Sequence, residues 1–451
     1  MNSIIKTSAL TISLIASNIA IASNHTVESL GTTLTPLGAE LAGNKEGTIP
    51  AWSGGLTSKN TPKSKDAGRP DNPFPEDKPL FTITNQNLQQ YEENLSAGQI
   101  AMFKKHADYK MPVYETKRTA AYDESLYKIV KSNVGNAKLI QDGNGLQDFD
   151  TTIPFPLANS AMEVLWNHMT RYRGGSAKRF LTTIPVQSDG RFVEVKMSDE
   201  LVWPEFLVGG RDEKKDDNVL FYYLQQITAP ARLTGTALLV HETIDQVKEA
   251  RRAWVYNSGQ RRVRRAPNVA YDGPGAGSDG LRTADNFDMY NGAPDRYDWK
   301  LIGKKELYIP YNSYKLMDTD AKYKDIVKKG HLNSDYLRYE LHRVWEIEAT
   351  IKEGNRHIYQ KRTMFIDEDT WGASVIDHYD ARGQLWKMSE AHNVMFYDVN
   401  TPWMVAETLH DLDSGRYLVT GLSNEEPKFM VWGTKSKRKD FSSSALRRIG
   451  R

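Results

Sequence analysis

YLRYELHRVWEIEATIK, residues 336–352, alternates apolar and polar positions with the period of a strand. Tyr339, Leu341, Trp345, Ile347, Ala349 and Ile351 share one face, interrupted by Arg343. Glu340, His342, Glu346 and Glu348 share the other, which reads as a solvated face. The stretch passes through Glu353-Gly354-Asn355 into RHIYQKRTMFIDED, a second strand after a glycine turn. The same pattern recurs on both sides. WGASVIDHYD turns at Ala381-Arg382-Gly383 into QLWKMSEAHNV, and MVAETLHDLD turns at Ser414-Gly415 into RYLVTGL. Upstream, RFLTTIPVQ meets RFVEVKM across Asp189-Gly190, and VLFYYLQQIT and RLTGTALLVHETI are further strands. Consecutive hairpins make an antiparallel meander. The predicted fold is therefore mostly β (α+β): one large, curved antiparallel sheet with a few helices on one side.

Those helices precede the strands. Residues 84–107 read as helical pieces with a break near Ser96-Ala97-Gly98, and residues 123–131 as a weaker helix. PLANSAMEVLWNHMTRYRGG is the clearest helix, with Asn159 or Ser160 as its cap and Gly174-Gly175 as its stop. Its apolar stripe is Met162, Leu165, Trp166 and Met169. Residues 23–80, rich in Gly, Pro, Thr and Asn, read as extended chain wrapped on the body.

The first residues read as an address. Lys6 supplies a positive start, Ala9 to Ile21 an apolar run, and Ala20-Ile21-Ala22 a small-x-small cleavage site. The chain contains no cysteine, which removes disulfides, thiol catalysis and a lipid-modified N-terminal cysteine. A secreted chain without thiols suits a Gram-negative periplasm. The expected organisation is a signal peptide over 1–22, wrap and helices over 23–177, the antiparallel body over 178–432 and a basic tail over 433–451. The tail carries seven basic residues against Asp440 and reads as a disordered, solvated segment, or as one that docks on anionic phospholipid.

WVYNSGQRRVRRAPNVAYD, residues 254–272, holds four arginines within five positions, flanked by aromatics. Such a cluster can bind nucleic acid. Secretion and a formal net charge of only +2 argue against that partner. Alternation puts Arg262 and Arg264 on one face. The arginines are expected either to pair with Asp272, Asp279, Asp285, Asp288, Asp295 and Asp298 of the glycine-rich loop downstream, or to hold an anionic headgroup. That loop reads as a long surface loop, with a faint calcium-like spacing of aspartates.

No catalytic motif is present: there is no HExxH, GxSxG or GxxxxGK[ST]. Ten histidines are scattered without metal-ligand spacing, and Asp367, Glu368 and Asp369 read as a strand end. The chain is not read as an enzyme, and no cofactor or metal is expected.

LGTTLTPLGAELAGNKEGTIPAWSGGL, AWVYNSGQRRVRRAPNVAYD, SDGLRTADNFDMYNGAPDRYDWKLIGKKELYIPYN and LRYELHRVWEIEATIKEGNRHIYQKRTMFIDED together resemble a proteobacterial family catalogued as domain of unknown function 1329. That family resembles the periplasmic lipoprotein chaperone LolA and the receptor LolB. The resemblance implies a half-barrel with a helical lid and an apolar cavity for a lipid or acyl chain. It also implies a place in envelope transport beside outer-membrane proteins or export pumps, with at most peripheral membrane contact. Without a cysteine, this chain lacks the lipid anchor of LolB. On that basis the cavity candidates are Phe221, Tyr223, Trp254, Tyr256, Tyr308, Trp345, Phe365 and Trp386, each of which also suits an ordinary core. The headgroup candidates are Arg262, Arg264 and Arg343. The alternative is an interaction subunit of an export complex whose cavity is filled by its own side chains.

Overall fold

The computed structural model describes residues 25–266, 269 and 271–449. The expected signal peptide and its cleavage site lie outside these residues. Two short strands, β1 (Phe81–Ile83) and β2 (Met111–Val113), lead in, and β3 (Lys138–Ile140) and β4 (Gly145–Gln147) form a separate small hairpin. A first meander follows: β5 (Ser176–Val186), β6 (Val195–Val202), β7 (Val219–Ala229), β8 (Ala237–Thr243), β9 (Arg252–Asn257) and β10 (Arg262–Arg265). After a long connection comes a second: β11 (Tyr297–Pro310), β12 (Tyr339–Ile351), β13 (Lys361–Asp367), β14 (Ala373–Tyr379), β15 (Leu385–Phe396), β16 (Thr401–Asp411) and β17 (Tyr417–Leu422). A last strand, β18 (Met430–Trp432), pairs with β5. The two meanders join where β17 runs antiparallel to β5, with Tyr417 opposite Val186. The result is one open sheet of sixteen strands with β10 at one end of the order, and β11 paired along β12 near the other.

All four expected hairpin turns are present. Gly190, Gly354, Gly383 and Gly415 each take a positive φ, which a glycine adopts without steric cost. The helices are α1 (Ala97–Lys105), α2 (Glu124–Asn133), α3 (Ala161–Thr170), the single turn α4 (Tyr323–Ile326) and α5 (Ser443–Ile449). Ser96 and Ser160 cap α1 and α3 by accepting from the backbone N–H of Gln99 and Glu163.

Three expectations fail here. The helices do not share one side. α1 packs on the face that carries Asp377 and Met388, so closely that a Cβ on Gly98 would collide with both side chains. The loop of residues 271–296 covers the opposite face, where Asp285 pairs with Arg362, and α3 is tied to that loop. The face expected to be solvated is also covered: Glu340 is 0% and His342 1% exposed. Residues 115–119 lie across it, with the Lys117 N–H donating to Glu340 (2.8 Å) and Thr116 to the Leu341 carbonyl (2.9 Å). A strand covered on both faces loses its sequence alternation where buried polar groups find partners.

The third failure is the tail, which is ordered through Ile449. α5 packs on the outer face of β8, β9 and β10, where Leu446 and Phe441 meet Tyr222, Leu239 and Tyr256. Leu446→Ala is expected to cost about 2–5 kcal/mol by leaving a cavity. Thermal melting and the rate of tryptic cleavage at Arg447 and Arg448 would both report the loss. Unchanged melting and protection would mean that the helix does not hold this face.

Candidate functional site

β7 alternates strictly, so Phe221, Tyr223, Gln225 and Ile227 point to one face while Tyr222 and Leu224 point to the other. Register carries that face across neighbouring strands: Tyr223 lies opposite Val240, and Leu238 opposite Val255. These side chains floor an apolar hollow of about 170 Å³. Its roof is the 271–296 loop, which contributes Pro274, Ala284 and Phe287.

The roof is fastened at two points. Asp288 accepts two hydrogen bonds from Arg171 (2.7 and 2.5 Å) and pairs also with Arg173, whose side chain is 1% exposed. Its carboxyl is held down at about 2 because the two guanidiniums outweigh the cost of burial. Asp285 pairs with Arg362 (2.6 Å) and His357 (3.0 Å), which hold its carboxyl well below the usual carboxylate range despite burial. Beside Asp288 sits His168 of α3. The Ala373 N–H donates to its Nδ1 (3.0 Å), so Nε2 carries the proton toward the carbonyls of Asp288 (3.1 Å) and Tyr290 (3.0 Å). Burial pushes the imidazole down to about 3, so it stays neutral.

Charge sits only at the edges of the hollow. Glu242 and Arg251 pair at 2.8 Å, both nearly inaccessible, and Asn291 donates to the same carboxylate (2.8 Å). Next to the hollow, Arg179 forks Asp199 (2.9 and 2.7 Å), and Tyr223 donates to it (3.1 Å). Arg282 lines both spaces, is half-buried, and among the described residues makes no side-chain hydrogen bond or ion pair. Its neighbour Glu407 is pushed up to about 7 by burial, against the pull of Arg282. The arrangement offers an apolar wall and one uncommitted cation; among the described residues it contains no paired nucleophile and base.

Only two of the eight aromatic candidates line this hollow, Phe221 and Tyr223. Trp254 and Tyr256 lie on the outer face with α5, because the register opposes Leu239 to Trp254. Tyr308 packs against Phe81 and Tyr91, Trp345 stacks on Trp371, Phe365 is core beneath Lys305, and Trp386 meets Tyr359. None of the three headgroup candidates reaches it. Arg262 and Arg264 are exposed on β10, and Arg343 is buried against Glu368 (3.3 Å). Nor do the β10 arginines pair with the downstream aspartates, among the described residues: Asp285 and Asp288 are taken as above, and Asp279 pairs with Arg416. With its two buried aspartates committed to arginines, the loop is an internal strap rather than a surface loop. Arg282 and Arg251 were missed because nothing in sequence separates them from the other arginines nearby.

The fold and hollow define a class: an open β-rich sheet whose covered face keeps an apolar recess with a cationic edge. The chain belongs to the family described as protein of unknown function, DUF1329, whose model matches residues 82–447. It is 53% identical, over 99% of its length and 98% of the relative's, to an uncharacterized protein of Pseudomonas aeruginosa. Among solved structures it is similar to a DUF1329 family protein from Desulfovibrio piger (16% identity, 60% of this chain and 92% of that one, TM-score 0.42). It is also similar to a LolA superfamily protein from Nitrosomonas europaea (14% identity, 64% and 100%, TM-score 0.38). No helix of the described residues is long and apolar enough to cross a membrane.

Proposed function

We propose that this chain is a periplasmic carrier that holds a lipid-like or acylated ligand in the hollow beneath the 271–296 strap, as part of envelope transport. The observation that carries the reading is the hollow itself, with walls of Phe221, Ile227, Leu238, Val240 and Phe287 and Arg282 at its edge. Burial of apolar surface supplies the affinity, about 25 cal/mol per Å² removed from water. Arg282 selects an anionic end by charge-assisted hydrogen bonds. A volume of about 170 Å³ admits a ring or a short alkyl segment. A longer chain enters only as the strap lifts, and the strap hangs on the Asp285 and Asp288 clusters.

The test is native mass spectrometry of the protein taken from its own periplasm, followed by lipid extraction and titration with a fluorescent fatty acid. A co-purifying hydrophobe is expected. Val240→Trp fills the floor; displacing two buried methylenes costs about 1.6 kcal/mol, or about fifteenfold in affinity. A clean apo mass with no probe uptake would reject the carrier and leave the interaction-subunit reading.

A further inference from the structure

Where β12 and β13 meet residues 115–119, a second group of buried side chains is not used by the carrier. Asp367 closes β13. Its Oδ2 accepts from the backbone N–H and hydroxyl of Thr370 (3.0 and 2.7 Å), which fixes the carboxylate, while its Oδ1 has no hydrogen-bond partner. That Oδ1 faces His342 Nδ1 at 3.9 Å. The separation is too long for a hydrogen bond. It suits two donors that share an ion, each about 2.0–2.2 Å from it.

The orientation of the ring supports this. His342 Nε2 lies 3.2 Å from Glu340 Oε2. Glu340 already accepts from Arg338 (2.7 Å), the Lys117 N–H (2.8 Å) and Asn312 (2.9 Å), so it is an ionised acceptor. In the neutral ring, therefore, Nε2 donates to Glu340 and the Nδ1 lone pair faces Asp367. A metal-ligating histidine whose other nitrogen donates to a carboxylate is a recurrent arrangement.

Asp369 adds a third donor: one atom each from His342, Asp367 and Asp369 lie within 4.8 Å of one another. Arg118 forks Asp369 (2.9 and 2.6 Å) but occupies only two of the roughly four lone-pair sites of a carboxylate. An independent observation comes from Tyr311. Its ring stacks on His342, centroids 4.0 Å apart, and its hydroxyl is buried without a partner.

We propose that His342 Nδ1, Asp367 Oδ1 and Asp369 hold a divalent first-row transition ion of the zinc or manganese class. One nitrogen with carboxylate oxygens and no thiolate favours such an ion over copper(I). The donors come from β12, β13 and the turn after it, all covered by the N-terminal half of the chain, so binding is coupled to folding.

The test begins with the untagged wild-type protein, purified without chelator and assayed by elemental mass spectrometry. One ion per chain is expected. Protein unfolded with EDTA and refolded should then melt higher with added Zn2+ or Mn2+. His342→Gln and Asp367→Asn should abolish the stoichiometric ion, and Glu340→Gln should weaken binding about 10–100-fold. His25→Gln, at the exposed start of the described chain, should change nothing. Wild-type protein with no stoichiometric ion and no metal-dependent melting would overturn the site, whatever the variants do. Binding that survives His342→Gln would overturn it equally.

Discussion

Asp288→Asn is expected to destabilise the protein by about 3–5 kcal/mol, the cost of breaking a buried ion pair by removing one partner. The effect is large because the carboxylate serves two guanidiniums, and Arg173 is sealed between it, Trp203 and Phe221. Neutralising Asp288 leaves two buried cations repelling each other. Asn cannot replace the paired oxygens that Arg171 forks. Asp279→Asn is the matched comparison. It lies on the same loop and also pairs with an arginine, Arg416, but at the surface, where such pairs contribute about 0–1 kcal/mol. Urea unfolding of both variants should separate them by about 2 kcal/mol or more. Equal losses would show that the strap is not fastened at Asp288.

Stability should fall gently from pH 6.5 to about 4.5 and steeply below. Burial pushes five histidines down: His168, His392 and His410 to about 3, His241 to about 4, and His378 well below its usual value. The unfolded chain protonates them first, near 6.5, so each removes stability as pH falls. Four buried carboxyls act with the opposite sign. Burial raises Asp377 to about 6, Glu390 and Glu407 to about 7, and Asp367 also upward, so the folded state takes up their protons first and gains stability until the unfolded values near 4 are reached. At about 1.4 kcal/mol per pH unit per group, five losses against four gains leave a gentle slope. Below about 4 the gains are complete, four histidines still lose, and Asp288 begins to protonate, so the slope exceeds about 4 kcal/mol per unit. Urea midpoints across pH 7 to 3.5 would show the break. A uniform steep decline from pH 6.5 would mean that these buried carboxyls stay ionised in the folded protein down to about pH 4.

The strands and turns were legible because alternation and glycine turns are local signals. The β12–β13 hairpin was read directly from Tyr339 to Asp369. What lies over each face was not legible, because it depends on contacts from distant chain. Glu340 and His342 looked solvated until residues 115–119 were laid across them. Trp254 and Tyr256 looked like cavity residues until α5 was found beneath them. The 271–296 strap was the largest surprise. Its aspartates were matched in sequence to the nearest arginines, while their partners Arg171, Arg173 and Arg362 lie more than 75 positions away.

The cluster Arg261 to Arg265 forms no part of the hollow, yet its position has a consequence for solubility. Among the described residues β10 ends the strand order and leaves one row of backbone donors and acceptors unpaired, a template on which another copy's strand could add. Two β10 strands meeting antiparallel would set Arg262, Arg264 and Arg265 against the same row of the other copy. Like charges directly opposite each other disfavour such a pair. The arginines make the free margin of a very large sheet self-repelling, and so guard the protein against edge-to-edge polymerisation.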